Sequence, residues 1–225
     1  MGNMKASFWH QIWADGHIAF HHNKAHALLV EHLAKLQLAN NSRVFLPLCG
    51  KTRDIAWLLS QGYQVVGAEL SELAIIELFK ELGITPHIAH ETQFKRYHAT
   101  NIDILVGNIF NIKPADIGQV NAIYDRAALV ALPADMRALY SAHLIRLSKG
   151  AAQLLITFEY CQEQLDGPPF SIAEPELREH YATDYDIKRI VNKVVKGGLK
   201  GKVSAIETLW LLQRKLLSSA GNLVR

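Results

Sequence analysis

Cysteine is scarce in this sequence: Cys49 and Cys161 are the only two in 225 residues, and their contexts are unrelated. Such a pair implies no disulfide framework, which fits a reducing, cytoplasmic setting. Charge of one sign is also lacking. Lys and Arg total 24 against 21 Asp and Glu, a formal net charge of +3 that is too small to argue for nucleic acid or a membrane surface as partner. There are no long hydrophobic runs. The longest, such as 151–158, have the length of a strand and cannot span a bilayer. The opening MGNMKASFWHQIW has no apolar signal-peptide core, and Ala6 stands where a myristoylation site needs Ser or Thr. Repeats, low-complexity tracts and long linkers are missing too, so 1–225 reads as one domain with a sizeable core.

The informative segment is 43–72, RVFLPLCGKTRDIAWLLSQGYQVVGAELSE. An apolar run at 44–48 ends in the turn Cys49-Gly50, an amphipathic stretch with Ile55, Trp57, Leu58 and Leu59 follows, and Gly62 breaks it. A second apolar run then ends at Glu69. This is strand, turn, helix, strand, acid, with the acid about twenty residues past the glycine, the spacing at which a parallel nucleotide-binding sheet offers a carboxylate to a ribose. Three adenosine-containing cofactors compete. A triphosphate-binding P-loop needs G-x-x-x-x-G-K-[ST], and Phe45 occupies the position of its first glycine. A dinucleotide fold needs several glycines, whereas Lys51, Thr52 and Arg53 follow Gly50 here. S-adenosylmethionine carries ribose and adenine but no phosphate, so one glycine and one acid suffice. The same pattern also describes an ordinary sheet crossover ending in a surface glutamate.

Elsewhere, helices are expected at 8–13, 24–37, 52–61, from Ser71 to Leu82, from Pro133 to Leu147 and at 175–181. Strands are expected at 43–47, 64–69, 102–106, 120–124 and 151–158, with 84–100 an irregular excursion or small hairpin. Residues 186–195 and 203–212 alternate around KGGLKGK and read as a terminal hairpin. Parallel crossovers followed by an antiparallel pair are the arrangement of S-adenosylmethionine-dependent methyltransferases, while a dinucleotide fold continues with further βα units.

Asp125 and Arg126 stand at a strand end that faces the ligand crevice of such a sheet. Arg126, set between apolar flanks, needs an anionic partner. Gly167-Pro168-Pro169-Phe170 resembles the loop of amino-methylating enzymes but has glycine where they place an amide or carboxylate, so it reads as a rigid lid turn. Of the 11 histidines, His10, His17, His21, His22, His26 and His32 crowd the N-terminus without metal-ligand spacing, and no metal is expected. Cys49 reads as a packing residue rather than a nucleophile. The basic residues of 188–202 lack stacking aromatics and fit a charged hairpin tip better than an RNA surface. Trp9, Trp13 and Phe20 either pack or cover a ligand.

These motifs together resemble the thiopurine S-methyltransferase family, in its bacterial form. The resemblance spans 8–212 and rests on FWHQIWADGHIAFH, VFLPLCGKTRDIAWL, VVGAELSE, YDRAALVAL and GPPF, with PLCGK its most specific marker. It implies a class I methyltransferase fold: a doubly wound, mostly parallel seven-stranded sheet with helices on both faces and a C-terminal antiparallel hairpin. Residues 1–40 would form an N-terminal helical segment covering the active site. It implies S-adenosylmethionine, with product S-adenosylhomocysteine, held by Trp13, Leu48, Glu69, Asn108, Ile109 and Arg126. Phe20 and Arg126 face the substrate, and Asp125 is a weak candidate for a general base. The expected activity is methyl transfer to the sulfur of thiopurines or related aromatic and heterocyclic thiols, in a monomer. The alternatives are methylation of selenium or tellurium species and a non-catalytic cofactor-binding protein. Replacing Glu69 is expected to weaken cofactor binding and leave the fold intact. The 160–166 loop and the 197–203 turn diverge from the family pattern, and both help to shape the acceptor pocket.

Overall fold

The computed structural model describes residues 6–16 and 21–216. Its strands are β1 (Arg43–Pro47), β2 (Gln64–Glu69), β3 (His87–His90), β4 (Phe94–Ala99), β5 (Ile102–Gly107), β6 (Ala122–Asp125), β7 (Ala152–Glu159), β8 (Tyr185–Val194) and β9 (Ile206–Arg214). The helices are α1 (Ala6–Ala14), α2 (Ala27–His32), α3 (Arg53–Ser60), α4 (Glu72–Leu82), α5 (Pro114–Ile117), α6 (Ala134–Ser148) and α7 (Glu174–Tyr181).

Local chemistry sets the helix limits. The Thr52 hydroxyl accepts the Asp54 N–H at 3.3 Å and starts α3. Ser71 does the same for α4, which ends at Gly83 in the left-handed region at φ 68°. Pro133 occupies the position before the first turn of α6, and Lys149, also left-handed, ends that helix. The helix expected over 24–37 is shorter: α2 passes into a 3-10 turn, Leu33–Leu36, which stops at Gln37.

One mixed sheet runs in the order β3-β4-β5-β2-β1-β6-β7-β9-β8. β5, β2, β1, β6 and β7 are parallel, and β7-β9-β8 close one side with the antiparallel pair the sequence announced. The sheet has nine strands rather than the expected seven, because 84–100 is a full hairpin that joins it. β4 pairs along the whole of β5 and shields backbone groups that would otherwise form an open edge. Lys95, Arg96 and His98 hide its periodicity, since only Phe94 and Tyr97 of this strand are buried.

The central strands are buried on both faces, as parallel strands between helices must be. Phe45, Val66, Leu105, Ile123 and Leu155 pack toward Tyr140, Leu144 and Leu147 of α6 and Leu177 of α7. Val44, Leu46, Val65 and Ile104 point the other way, against Leu28 and Leu29 of α2, Ile55 and Leu58 of α3, and Ile75 and Leu78 of α4. The chain steps from β1 to β2 on one side and later crosses to β6 on the other, so the strand order reverses at β1. A crevice opens at the carboxyl ends of strands at such a reversal.

Candidate active site

The crevice is built on the turn that follows β1. Leu48 and Gly50 both take positive φ, 45° and 51°, and reverse the chain between Pro47 and α3. The Cys49 N–H is anchored to the Ala68 carbonyl at 3.0 Å. Gly50 is required twice over: its φ disfavours a side chain, and a Cβ there would stand 2.8 Å from the Trp13 ring. Trp13, buried on α1, therefore lies directly over the turn. On its other side the Gly50 N–H donates to Glu69 Oε2 at 2.8 Å. Glu69 Oε1 accepts the N–H groups of Leu70 and Ser71, each at 2.8 Å. Burial pushes the Glu69 carboxyl up, and these three N–H donors pull it back.

On the next strand, Asn108 follows β5 and its side chain accepts the Phe110 N–H at 3.0 Å. The buried Ile109 offers its carbonyl to His143 Nε2 on α6 at 2.9 Å. A carbonyl only accepts, so Nε2 of His143 carries the proton, and burial lowers the pKa of this ring. Nothing in the sequence separates His143 from an ordinary helix histidine.

β6 delivers Arg126 to the same rim. Its Nη1 is 3.5 Å from the Thr52 hydroxyl and 3.9 Å from Asp54 Oδ2. Asp54 in turn accepts the His26 N–H at 2.6 Å, and His26 Nε2 meets Glu207 of β9 at 3.2 Å. Burial alone would raise the Glu207 carboxyl, but His26 and Lys193 hold it below the usual range. Asp54, His26 and Glu207 do not stand together in the sequence; Glu207 lies 181 positions after His26. His21 and His22 flank the cluster. Burial lowers both, assisted chiefly by Lys51 for His21 and by Arg126 for His22.

Asp125, the weak general-base candidate, is not brought to this rim. It is fully buried, with Oδ1 on the Leu129 N–H at 3.1 Å and Oδ2 on the Tyr140 hydroxyl at 2.8 Å. Alternation along β6 explains this: Asp125 faces α6 while Tyr124 faces the opposite layer. Cys49 is buried, and burial followed by Glu69 raises its thiol well above the usual value, so it packs rather than attacks. Lys51 pairs with Glu77 and Glu81 at 2.7 and 3.0 Å, and Arg53 with Glu81 at 3.0 Å. Those cations are committed to α4. Phe20 lies outside the described residues. Among the described residues no group of three His, Cys, Asp or Glu side chains could hold a metal ion.

The two divergent segments meet over the end of β7. Leu199, Val203 and Ala205 pack with Phe158, Tyr160, Leu165 and Val195. Lys200 Nζ donates to the Pro168 carbonyl at 2.6 Å, and the Tyr160 hydroxyl to that of Pro169 at 2.7 Å. The Phe170 N–H reaches the Val130 carbonyl at 2.6 Å. GPPF is thus tied down at several points.

The family model for thiopurine S-methyltransferase (TPMT) matches residues 4–215. The chain belongs to the thiopurine S-methyltransferase family. A protein of Xanthobacter autotrophicus named thiopurine S-methyltransferase is 50% identical over 212 residues, covering 94% of this chain and all of its own length. Among solved structures, an S-adenosylmethionine-dependent methyltransferase from Anabaena variabilis superposes with a TM-score of 0.61 at 17% identity, over 93% of this chain and 95% of its own. A 1,6-didemethyltoxoflavin-N1-methyltransferase of Burkholderia thailandensis, solved with S-adenosylhomocysteine, gives 0.60 at 18% identity, over 92% and 87%.

This member of the thiopurine S-methyltransferase family is thus an S-adenosylmethionine-dependent enzyme with the class I methyltransferase fold. Its turn fits that cofactor on its own evidence. A buried carboxylate that already takes three N–H donors keeps one acceptor site for a ribose hydroxyl. The neighbouring cations, already paired with acids, are not offered to a phosphate.

Gly50→Ala should lower thermal stability by about 1–2 kcal/mol from the left-handed backbone alone and more from the Trp13 clash, and displacement of the Trp13 ring should also weaken S-adenosylhomocysteine. In a Trp13→Ala background only the backbone part should remain, which calorimetry and thermal melts would separate. The Asp125 carboxyl, raised by burial to about 6, binds its proton more tightly in the folded protein than in the unfolded chain. Its contribution to stability is therefore complete below about pH 4 and is lost as pH rises through about 6. Relative to Asp125→Asn, which does not titrate, the unsubstituted protein should lose about 3 kcal/mol at most across that window. Urea unfolding at a series of pH values measures the difference.

Proposed function

We propose that this enzyme methylates the sulfur of a thiopurine or a related aromatic or heterocyclic thiol. The observation that carries the reading is Arg126: a cation whose side chain is only 11% exposed, standing beside the turn that Glu69 organises. A largely buried guanidinium favours an acceptor that arrives as an anion, and an ionised aromatic thiol is already a strong nucleophile. The requirement for a general base falls away, in keeping with Asp125 and Cys49 being sealed in the interior.

When bound, S-adenosylmethionine supplies an electrophilic methyl group on a sulfonium. Glu69 would hold a ribose hydroxyl, the backbone of Leu48 would line the turn, and Asn108 and Ile109 would meet the adenine. Trp13 covers the turn and helps to exclude water, so that orientation and a dry pocket do most of the work. Arg126 orients the anionic acceptor or the cofactor carboxylate. The loop through Pro168 and Pro169, held by Tyr160 and Lys200, forms the wall on the acceptor side.

Radiolabelled methyl transfer to a panel of thiopurines, simple aromatic thiols, selenite and tellurite tests the acceptor. Thiopurines and aromatic thiols should turn over fastest. Faster turnover of the metalloids would favour that alternative, and no transfer to any of them would overturn the reading. Glu69→Gln should weaken S-adenosylhomocysteine about tenfold, as expected for one lost hydrogen bond to a carboxylate. Glu69 also satisfies three backbone donors, so this substitution should lower the melting temperature as well, contrary to the expectation of an intact fold. Unchanged affinity by calorimetry would remove Glu69 from the site.

A further inference from the structure

Asp54 is a carboxylate of the rim that touches the Arg126 side. It is 1% exposed, and a buried carboxylate persists only where its oxygens are satisfied. Oδ1 accepts the His26 N–H at 2.6 Å, while Oδ2 accepts the Thr52 hydroxyl at 3.0 Å. The same Thr52 oxygen lies 3.5 Å from Arg126 Nη1, and Asp54 Oδ2 lies 3.9 Å from it. A chain of donors therefore runs from Arg126 through Thr52 to Asp54. Both oxygens of the carboxylate are fixed, Oδ1 by the start of α2 and Oδ2 by the cap of its own helix, α3. The long arginine side chain must come to it rather than the reverse.

We propose that Asp54 is a positioning residue for the methyl-transfer reaction: with Thr52 it sets the place of the Arg126 guanidinium. The inference rests on the reading that Arg126 faces cofactor or acceptor. An acid in the first turn of α3 would favour the helix dipole wherever its side chain pointed. Oδ1 of Asp54 reaches instead to His26, and Oδ2, while bonded to the Thr52 cap, also faces Arg126 at 3.9 Å, outside its own helix. A capping role accounts for Thr52 accepting the Asp54 N–H, and leaves the contact to Arg126 unexplained. Docking of α2 has a second support in the His26–Glu207 contact at 3.2 Å, so α2 remains attached when the charge on Asp54 is removed.

Asp54→Asn keeps the shape and an oxygen for the His26 N–H. Its melting temperature should stay close to that of the unsubstituted protein. Its kcat/KM for a thiol acceptor, or its affinity for S-adenosylhomocysteine by calorimetry, should fall about tenfold, the effect of one charge-assisted contact. In an Arg126→Ala background the same substitution should add nothing. If Arg126→Ala alone leaves both quantities unchanged, the reading of Arg126 fails. If Arg126→Ala is defective and Asp54→Asn is either silent or multiplies that defect, the positioning role fails by itself. Should Asp54→Asn not fold, Thr52→Val cuts the same chain without touching the Asp54–His26 bond, and is judged by the same non-additivity.

Discussion

The site depends on a carboxylate gripped by its own backbone. Glu69 ends β2 and takes N–H groups from two directions, Gly50 across the crevice and Leu70 and Ser71 along its own chain. Burial would otherwise drive this group neutral, and the donors oppose that. The consequence is geometric. The turn after β1 cannot drift from the end of β2 without orphaning a buried acceptor. Gly50 transmits the constraint outward, because the face that bonds Glu69 is backed by the Trp13 ring. The end of β2, the glycine turn and the N-terminal helix are thus parts of a single packed stack.

A second set of contacts works on the other side of β1. There the polar groups of Arg126, Thr52, Asp54, His26 and Glu207 come from β6, the start of α3, the start of α2, and β9. Each is buried or half-buried and each has a partner, as a low-dielectric rim demands. The tripeptide Gly50-Lys51-Thr52, which copies the end of a P-loop, is put to different uses here. Lys51 braces α4, while the Thr52 hydroxyl starts α3 and reaches toward Arg126. The family's cofactor lacks phosphates, and the chain spends these residues on itself.

Much of this was legible beforehand. Alternating and continuous apolar runs marked the parallel strands, and Ser71 and Gly83 marked both ends of α4. The turn at Cys49-Gly50 and the acid at Glu69 stood at a recognisable spacing. The β3-β4 hairpin was harder to read because charged side chains on an outer strand blur its period. Asp125 was misleading for a related reason. A strand end faces the crevice, but the side chains on it still alternate, and Asp125 turns inward to Tyr140.

The sequence by itself determined the order of elements, the glycine turn, the acid at the second strand and the family, because these depend on residues close together in the chain. Only the tertiary structure decided which charges are available at the rim. Lys51 and Arg53 are committed to Glu77 and Glu81, and Arg126 is drawn toward Asp54. His26 is pinned to Glu207, 181 positions away. Pairing of that kind is fixed by burial and by the desolvation of each charge, and both exist only once the distant strands have come together.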